Sequence, residues 1–313
     1  MLKRTRRSSE RVHAVKKRKS RKKLNEEKIE NITLLAGLID KYDINYRKRK
    51  LTTYQAVETM MYMNKSAISY DEATSIVLRN IVDSSTLRKR IQAWMNMDIP
   101  KLVWEEITRE YMEQRFKENK KFFKNVFIDA TMIKNDLGVD CLGPNPTDRG
   151  RPGTKLSALT TYDKVIIGYS FAGANKPDVK EVENVLKSVP ISLRKDQRMS
   201  TNLIADKGYV DNLQKKDLWR DSNIRKVTEN KKTPKIPIPL PLCRKDEALL
   251  RKRYVVENVF CTLKKSHRRF QIRRDRYIRN FSGLFLFAAT TMTLNVMRDV
   301  LGENCFERIQ RLG

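Results

Sequence analysis

Three acidic residues stand in three apolar segments of a strongly basic chain. Asp129 lies in FIDAT, Asp206 lies in LIADKGY, and Glu257 lies in RYVVENVFCTLKK. A carboxylate in an apolar segment costs free energy unless a cation or hydrogen bonds compensate its charge. Carboxylate oxygens are ligands that Mg²⁺ prefers, and a chain with 66 basic and 37 acidic residues attracts polyphosphates. The three residues therefore indicate metal-dependent chemistry on DNA.

Each of these carboxylates alone also has an ordinary structural explanation, such as a helix cap, a turn or an ion pair. The set is more informative, because two aspartates from strands and a glutamate from a later helix can converge on one pair of metal ions. Two divalent ions stabilise the attacking and the leaving oxygen of an in-line phosphoryl displacement, and one of them activates water or a 3′-hydroxyl. This chemistry needs no histidine, which suits a chain with two histidines.

Hydrophobic periodicity predicts the elements that would position these residues. Alternation makes NVFIDATMIK a strand with Phe127 and Asp129 on one face, and STNLIAD a strand that closes at Asp206. Side chains at such strand ends line a crevice in an α/β sheet. From residue 125 the pattern predicts the order β-β-β-α-β-α-β, with a tight turn at Asp163–Lys164 between the second and third strands.

The remaining elements of this half are helices and a linker. A capping box between Asp178 and Glu181 predicts the start of the first helix. The proline-rich residues 231–241 predict an extended linker, and a long helix is expected from about Asp246 to Lys265, with Glu257 in its middle. The apolar residues 281–296 are too short and too polar for a good membrane span and predict a buried helix.

The helix around Glu257 carries two cations near the same face. Arg253, Glu257 and Lys264 stand at relative positions 0, 4 and 11, which returns close to one side of a helix. Such a face is either a self-neutralising surface or a site whose cations position a phosphodiester. The valines beside it favour the second interpretation.

Residues 25–118 read as wholly helical. Ser84 or Ser85 is expected to cap a helix whose apolar face is formed by Leu87, Ile91, Trp94 and Met95. Together with the preceding segment YDEATSIVLRNI this predicts a helix-turn-helix pair. Arg88, Lys89 and Arg90 project away from that face, and they serve either DNA contact or a plain charged surface.

Composition limits the possible partners. The net charge of +29 implies salt-sensitive attraction to nucleic acid or to an anionic membrane surface, and no helix pairs a basic face with a wide exposed apolar one. Residues 1–23 hold twelve basic residues and one glutamate, which predicts a disordered arm that binds DNA, directs nuclear import or only adds solubility. No signal peptide is visible, and four scattered cysteines argue against a zinc finger.

FIDAT, the Gly153–Lys155 motif GTK, ADKGY and RYVVENVFCTLKKSHRRF together resemble the DDE-type transposases of bacterial insertion sequences. The closest resemblance is to the group that combines insertion-sequence families four and five. That group's signature on the last helix is tyrosine, arginine, glutamate and lysine, and Arg253, Glu257 and Lys264 meet its spacing. Leu250 stands where the family has tyrosine.

The resemblance, over about residues 50–300, implies an α/β chain with a ribonuclease-H-like mixed sheet, flanking helices and an all-helical N-terminal region. It makes Asp129, Asp206 and Glu257 the catalytic residues and the ligands of two Mg²⁺ ions, with Mn²⁺ as a substitute. The implied partners are double-stranded DNA, as terminal repeats and target, and further copies of the chain. Such a protein is expected on DNA, in the cytoplasm or nucleoid of a bacterium or the nucleus of a eukaryotic host.

Domain boundaries follow from these patterns. We expect a basic arm over 1–23, a helical DNA-binding region over 24–120, a catalytic domain over 121–300 with a linker at 229–245, and a tail over 301–313. Further DNA contacts are expected from Arg253, Lys264, Lys207, Arg268 and Arg269. Phe270 and Tyr277 would either stack on an exposed base or face the core. Two alternatives stay open: a catalytically inactive DNA-binding protein, and a nuclease that performs no strand transfer.

Overall fold

The computed structural model describes residues 26–43, 50–190, 200–230, 241–302 and 309. The basic arm, most of the predicted linker and most of the C-terminal tail therefore lie outside the described residues. The helices are α1 over residues 26–42, α2 Thr53–Ser66, α3 Tyr70–Ile76, α4 Ser84–Asn96, α5 Ile99–Glu118, α6 Val182–Lys187, α7 Asn212–Ser222, α8 Arg244–Leu250, α9 Tyr254–Ser266 and α10 Ile278–Leu301. The strands are β1 Asn125–Asn135, β2 Gly143–Pro144, β3 Pro152–Thr160, β4 Ile166–Gly173, β5 Thr201–Ile204, β6 Ile224–Val227 and β7 Ile272–Arg273.

The helical N-terminal region is confirmed, with α1 to α5 preceding the sheet. Capping boxes at Thr52 and Ser69 begin α2 and α3. The predicted serine cap of α4 is wrong: Asp83 caps it by accepting the backbone N–H of Thr86 at 2.7 Å. Aspartate satisfies a free N–H at a helix start and also complements the positive end of the helix dipole.

The sheet has the order β4-β3-β1-β5-β6, with β2 and β7 as short additions beside β3 and β1. β4, β3 and β1 are antiparallel neighbours, whereas β5 and β6 run parallel to β1. This is the ribonuclease-H-like arrangement, and the predicted order of seven elements is confirmed. The left-handed backbone of Lys164, with φ at 68°, forms the predicted turn between β3 and β4.

Two predicted helix features differ from the structure. Asp178 and Glu181 form no capping box, because their side chains bind Lys155 and Ser170 and leave the start of α6 without a side-chain cap. The helix expected from Asp246 to Lys265 is interrupted by a 3₁₀ turn at Arg251–Arg253 between α8 and α9. One other bound shifts slightly, because α8 already begins inside the predicted linker.

The predicted burial of the apolar C-terminal helix is confirmed. Phe281 and Phe285 of α10 are fully buried, and the helix packs on α5, α4, α2 and β4. Among the described residues α10 is the one helix long and apolar enough to cross a membrane, and 56% of its most apolar window is buried inside the protein. Its apolar surface is therefore explained in large part by contact with other helices and with the sheet.

The helices and the sheet share one hydrophobic core. It extends from Ile32 of α1 through Trp94 of α4 and Phe127 of β1 to Met297 of α10. Hydrogen bonds also cross between the two regions: the Asn64 side chain donates to the backbone carbonyl of Leu284 at 3.0 Å, and the Asn31 side chain donates to the side-chain oxygen of Asn295 at 2.8 Å. The boundary predicted near residue 120 therefore does not coincide with a gap in the packing.

A substitution at Gly168 tests how tightly α6 packs on the sheet. A Cβ atom at Gly168 would lie 2.7 Å from the backbone oxygen of Val185 and 3.0 Å from Cγ2 of Val189. Because the first contact is with backbone, Gly168→Ala is expected to lower the free energy of unfolding by about 1–3 kcal/mol. Urea titration measures this change.

The matched control is Gly37→Ala in α1, where an added Cβ meets nothing within 4 Å. Alanine is favoured over glycine in a helix, so this variant is expected to be more stable by up to about 1 kcal/mol. Equal stability of Gly168→Ala and wild type would show that α6 does not pack as closely on β4 as the distance to Val185 indicates.

Candidate active site

Asp129 lies in the middle of β1, on the face of the sheet that α9 covers. It is paired with Ala158 of β3, and β1 and β3 both contact α9. The backbone N–H of Ala130 donates to Asp129 Oδ1 at 2.8 Å. The strand predicted to carry this carboxylate is therefore confirmed, and the side chain is only partly accessible to solvent.

Arg253 joins Asp129 to Glu257. One guanidinium nitrogen lies 2.8 Å from Asp129 Oδ2 and the other lies 2.8 Å from Glu257 Oε1. Arg253 ends the 3₁₀ turn before α9, and Glu257 lies four residues later, one helical turn into α9. Glu257 is therefore in the first turn of α9, not in the middle of a long helix as predicted, and it is exposed.

Asp206 follows the end of β5, next to the strand that carries Asp129. β5 runs parallel to β1 with Ile204 opposite Phe127, so continuation of this register brings Asp206 opposite Asp129. A 3₁₀ turn over Lys207–Tyr209 follows, and the N–H of Tyr209 donates to the carbonyl of Asp206 at 3.0 Å. Asp206 is half-buried at this strand end, as its place in the sequence predicted.

The pKa of Asp129 responds to its burial and to the charges around it. Burial is the main cause that raises this pKa to about 6; the Ala130 N–H and Arg253 act to lower it, and the charges of Asp206 and Glu257 add smaller contributions to the rise. A carboxylate with this pKa is largely ionised at neutral pH. Asp129, Asp206 and Glu257 therefore belong to one site, although they come from three separate segments.

The site is not arranged as a closed set of metal ligands. In the part of the chain that the structure describes, no three histidine, cysteine, aspartate or glutamate side chains are placed to hold a metal ion. The guanidinium of Arg253 stands between Asp129 and Glu257 and offsets one of their two negative charges. The carboxylate oxygens around this guanidinium are of the kind that binds hard divalent ions. The assignment of Asp129, Asp206 and Glu257 as metal ligands stays a prediction.

Lys264 connects α9 to β1. Its ammonium donates to the hydroxyl of Thr131 at 2.7 Å and to the carbonyl of Met132 at 2.8 Å. Burial lowers the pKa of Lys264 from its usual value. The residue was expected to contact DNA, and in this structure it fixes the helix that carries Glu257 beside the strand that carries Asp129.

The other predicted DNA contacts divide by exposure. Lys207, Arg268, Arg88 and Lys89 are exposed, and Arg88 also packs over the ring of Tyr70. These four side chains are accessible to a phosphate backbone.

Two predicted DNA contacts are buried instead. Arg90 donates to the carbonyl of Leu51 and, at 2.6 Å, to the hydroxyl of Thr53, so the expectation that it projects from the helix surface is wrong. Arg269 binds Asp275 at 3.0 Å and the carbonyl of Ile68 at 3.2 Å. A buried guanidinium needs such partners, and these two arginines connect structural elements.

The two aromatic residues that follow α9 also differ in burial. Phe270 is fully buried against Phe281 and Phe285 of α10, whereas Tyr277 is about half exposed. Of the two interpretations left open for them, core packing is confirmed for Phe270.

The sequence patterns give no role to a polar cluster packed against the Lys207–Tyr209 turn that follows Asp206. Lys155 is buried and bound to Asp178, and Tyr209 is fully buried next to Ser157. Burial raises the pKa of Tyr209 well above its usual value, and the charges of Asp178, Asp129 and Asp206 add to the rise. The signals were present in the GTK and ADKGY motifs, but Asp178 was interpreted as a helix cap.

The sheet order and the carboxylates on β1, after β5 and on α9 define a ribonuclease-H-like protein. Residues 121–293 match the family model described as the transposase DDE domain, and the chain belongs to this family. A relative from Burkholderia cepacia, named as a transposase for insertion sequence element IS402, is 32% identical over 94 residues. That match covers 29% of this chain, and the chain spans less than half (44%) of the relative's length.

Solved structures of the Mos1 transposase are similar at a low level. The strand transfer complex has a TM-score of 0.32 and 11% identity, with 85% of this chain and 80% of that chain covered. The catalytic domain of the Mos1 mariner transposase has a TM-score of 0.29 and 11% identity, with 66% of this chain and 93% of that chain covered. Membership of the family rests on the match to the family model.

Proposed function

We propose that this chain is a DNA transposase that cleaves phosphodiester bonds at the ends of a mobile element and joins the freed 3′-hydroxyl to target DNA. The observation that carries the proposal is the Arg253 bridge, which brings Asp129 and Glu257 together beside the strand end that holds Asp206. Membership of the transposase DDE domain family supports the same reaction.

The three carboxylates would hold Mg²⁺ or Mn²⁺. Their oxygens are suitable ligands for hard divalent ions, and Asp129, with a pKa of about 6, is available in its ionised form above that pH. Two such ions supply Lewis-acid stabilisation of the scissile phosphate and lower the pKa of the attacking hydroxyl group. We propose Asp129, Asp206 and Glu257 as these ligands.

The chain's own cations bind and orient the DNA backbone. Arg253 carries a planar guanidinium at the carboxylate site, which suits bidentate binding of a phosphate. Lys207 is exposed beside Asp206, and Arg268 is exposed after α9, so both can contact flanking phosphates. Lys264 acts from within the protein by holding α9 against β1. None of these residues forms a covalent bond to DNA in this proposal.

DNA binding also involves the helical region. Arg88 and Lys89 are exposed on α4, which follows α3 in the predicted helix-turn-helix pair. The net charge of +29 makes binding salt-sensitive. We propose that these residues hold the terminal repeats and that two or more copies of the chain act on paired ends. The protein is then associated with DNA, in the nucleoid of a bacterial host or the nucleus of a eukaryotic one.

Cleavage of a labelled duplex that carries the terminal repeats tests the proposed function. Wild type with Mg²⁺ or Mn²⁺ is expected to nick the repeat boundary, and Asp206→Ala is expected to lose this activity because an oxygen ligand is removed. Both proteins are expected to bind the duplex with similar affinity, since Asp206 contributes no positive charge. Gel-based cleavage and binding assays measure the two properties side by side.

The control for the second step is a duplex with a free 3′-hydroxyl, which only a strand-transferring enzyme joins to target DNA. Cleavage without joined product would identify a nuclease of the same fold. Retained metal-dependent cleavage by Asp206→Ala would contradict the assigned residues. Tight binding by both proteins without cleavage by either would indicate a DNA-binding protein that does not catalyse the reaction.

A further inference from the structure

A buried ion pair lies behind the turn that follows Asp206. Lys155 of β3 is 3% exposed, and its ammonium donates to the carboxylate of Asp178 and to the carbonyl of Lys176. Removal of an ammonium from water is costly, so a buried lysine normally has well-placed acceptors. Lys155 has two of them, and both belong to the segment that connects β4 to α6.

Asp178 is in close contact with the turn itself. A Cβ atom added to Gly208 would lie 3.1 Å from Asp178 Oδ2, while the carboxylate of the same residue also binds Lys155. Glycine at position 208 therefore leaves room for this carboxylate. Asp178 is thus held between the ammonium on β3 and the backbone of the Lys207–Tyr209 turn.

A second contact binds the helix after the turn to the same segment. The side chain of Gln214 in α7 donates to the carbonyl of Val179 at 3.0 Å, so α7 is bound to the residue that follows Asp178. Tyr209 lies between these two contacts, with its ring fully buried and its N–H bound to the carbonyl of Asp206. The chain from Gly208 to Gln214 is consequently in contact with the 178–179 segment at both of its ends, and it begins two residues after Asp206.

We propose that Lys155 and Asp178 are positioning residues for Asp206. Their ion pair holds the Lys207–Tyr209 turn at a set distance from β3, which is the strand paired with β1 and hence with Asp129. The parallel pairing of β1 with β5 sets the register of the two aspartates, and this chain of contacts adds a second constraint on the position of the turn that follows Asp206. The catalytic consequence rests on the proposed function, whereas the restraint on the turn does not depend on it.

Two substitutions in the full-length chain test this inference. Lys155→Met removes the ammonium, and Asp178→Asn keeps the size of the side chain while removing its charge. Both are expected to accelerate amide hydrogen exchange in residues 206–210 by about tenfold or more. A misplacement of about 1 Å lowers turnover by roughly 100-fold, so the cleavage rate with Mn²⁺ is expected to fall by that order while duplex affinity is unchanged.

The matched control is Arg115→Met. It removes a largely buried guanidinium that pairs with Asp163 at 2.9 Å and with the exposed Glu118, and neither pair involves the Lys207–Tyr209 turn. This variant is expected to keep both the cleavage rate per folded molecule and the exchange rate of residues 206–210. Gly208→Ala is a second test that leaves Lys155 in place, because the added methyl group would lie 3.1 Å from Asp178 Oδ2 and this carboxylate must shift by a few tenths of an ångström. It is expected to slow cleavage in the same direction but by less than Lys155→Met does.

Unchanged exchange in residues 206–210 of Lys155→Met and Asp178→Asn would overturn the positioning role, whatever the cleavage rate. Equal loss of cleavage in Arg115→Met would also overturn it, because the loss would then follow from general destabilisation. A wild-type protein that shows no cleavage, together with accelerated exchange in the two variants, would refute the proposed function and leave the restraint on the turn established.

Discussion

Asp129→Asn is expected to abolish cleavage and, in metal-free protein, to raise the melting temperature at about pH 8. If Asp129 is a metal ligand as proposed, its loss removes several kcal/mol of transition-state stabilisation, which corresponds to a rate at least about 10³-fold lower. The gain in stability has a separate cause. Burial raises the pKa of Asp129 from 3.8 to about 6, so the folded state disfavours the charged carboxylate.

The sign of the pH dependence follows from this raised pKa. Between 3.8 and about 6 the folded state binds more protons at Asp129 than the unfolded state, so stability falls as the pH rises through this window. The loss of stability caused by ionised Asp129 is complete above about pH 6 and absent below pH 3.8. Asparagine carries no charge, so the difference in melting temperature between Asp129→Asn and wild type should be largest near pH 8 and vanish near pH 4. Differential scanning fluorimetry measures both.

Asp83→Ala provides a control of opposite sign. Hydrogen bonds from the Ser85 hydroxyl and from the N–H and hydroxyl of Thr86 lower the pKa of Asp83 to about 2. Its contribution to stability is present above the unfolded pKa and is lost as the pH falls towards 2. Asp83→Ala is therefore expected to melt at a lower temperature than wild type at about pH 8. A melting temperature of Asp129→Asn below that of wild type at this pH would contradict the conclusion that the ionised Asp129 carboxylate destabilises the folded state.

Arg273→Met is expected to lower the free energy of unfolding by about 3–5 kcal/mol, which is a large part of the stability of an ordinary domain. The Arg273 side chain is fully buried and forms an ion pair with Asp140. It also donates to the carbonyl of Asp275 at 3.0 Å, that of Arg276 at 3.1 Å and the hydroxyl of Thr154 at 3.1 Å. Methionine fills a similar space but leaves these acceptors without their donor.

Urea-induced unfolding measures this loss, and the neighbouring Arg274→Met is the control. The Arg274 side chain is 58% exposed and its nitrogen lies 3.9 Å from the carboxylate of Asp136, an exposed pair of the kind that contributes little. Its stability is expected to stay within about 0.5 kcal/mol of wild type. If both variants unfold at the same urea concentration, the buried network does not stabilise the fold as described.

Local patterns were sufficient to predict where the central carboxylates lie. The alternation around Asp129 is a property of a single strand, and Asp206 follows the apolar residues of β5 directly. The burial of α10 was also predictable, because its composition is unfavourable for a membrane span and favourable for a core. These conclusions needed no knowledge of which elements are neighbours.

Contacts between distant segments account for what the sequence did not predict. Arginine and lysine are good helix formers, so nothing in RKR at 251–253 indicates the 3₁₀ turn; there Arg253 binds Asp129, 124 residues away. Arg90 and Arg269 look like surface cations, but their acceptors at Thr53 and Ile68 are 37 and 201 residues away. Hydrophobic periodicity describes one element at a time and carries no information about such partners.

The core shared by the N-terminal helices and the sheet limits how this chain can exchange parts with its relatives. A recombination event near residue 120 would replace α2, α4 and α5 but keep α10, whose buried surface is shaped by those helices. The close approach at Gly283, where an added Cβ would lie 1.9 Å from Met95 Sδ, is one such fitted contact. If α4 contacts DNA as proposed, new specificity would therefore be acquired more readily by changes on the exposed side of α4 than by exchange of the helical region as a block.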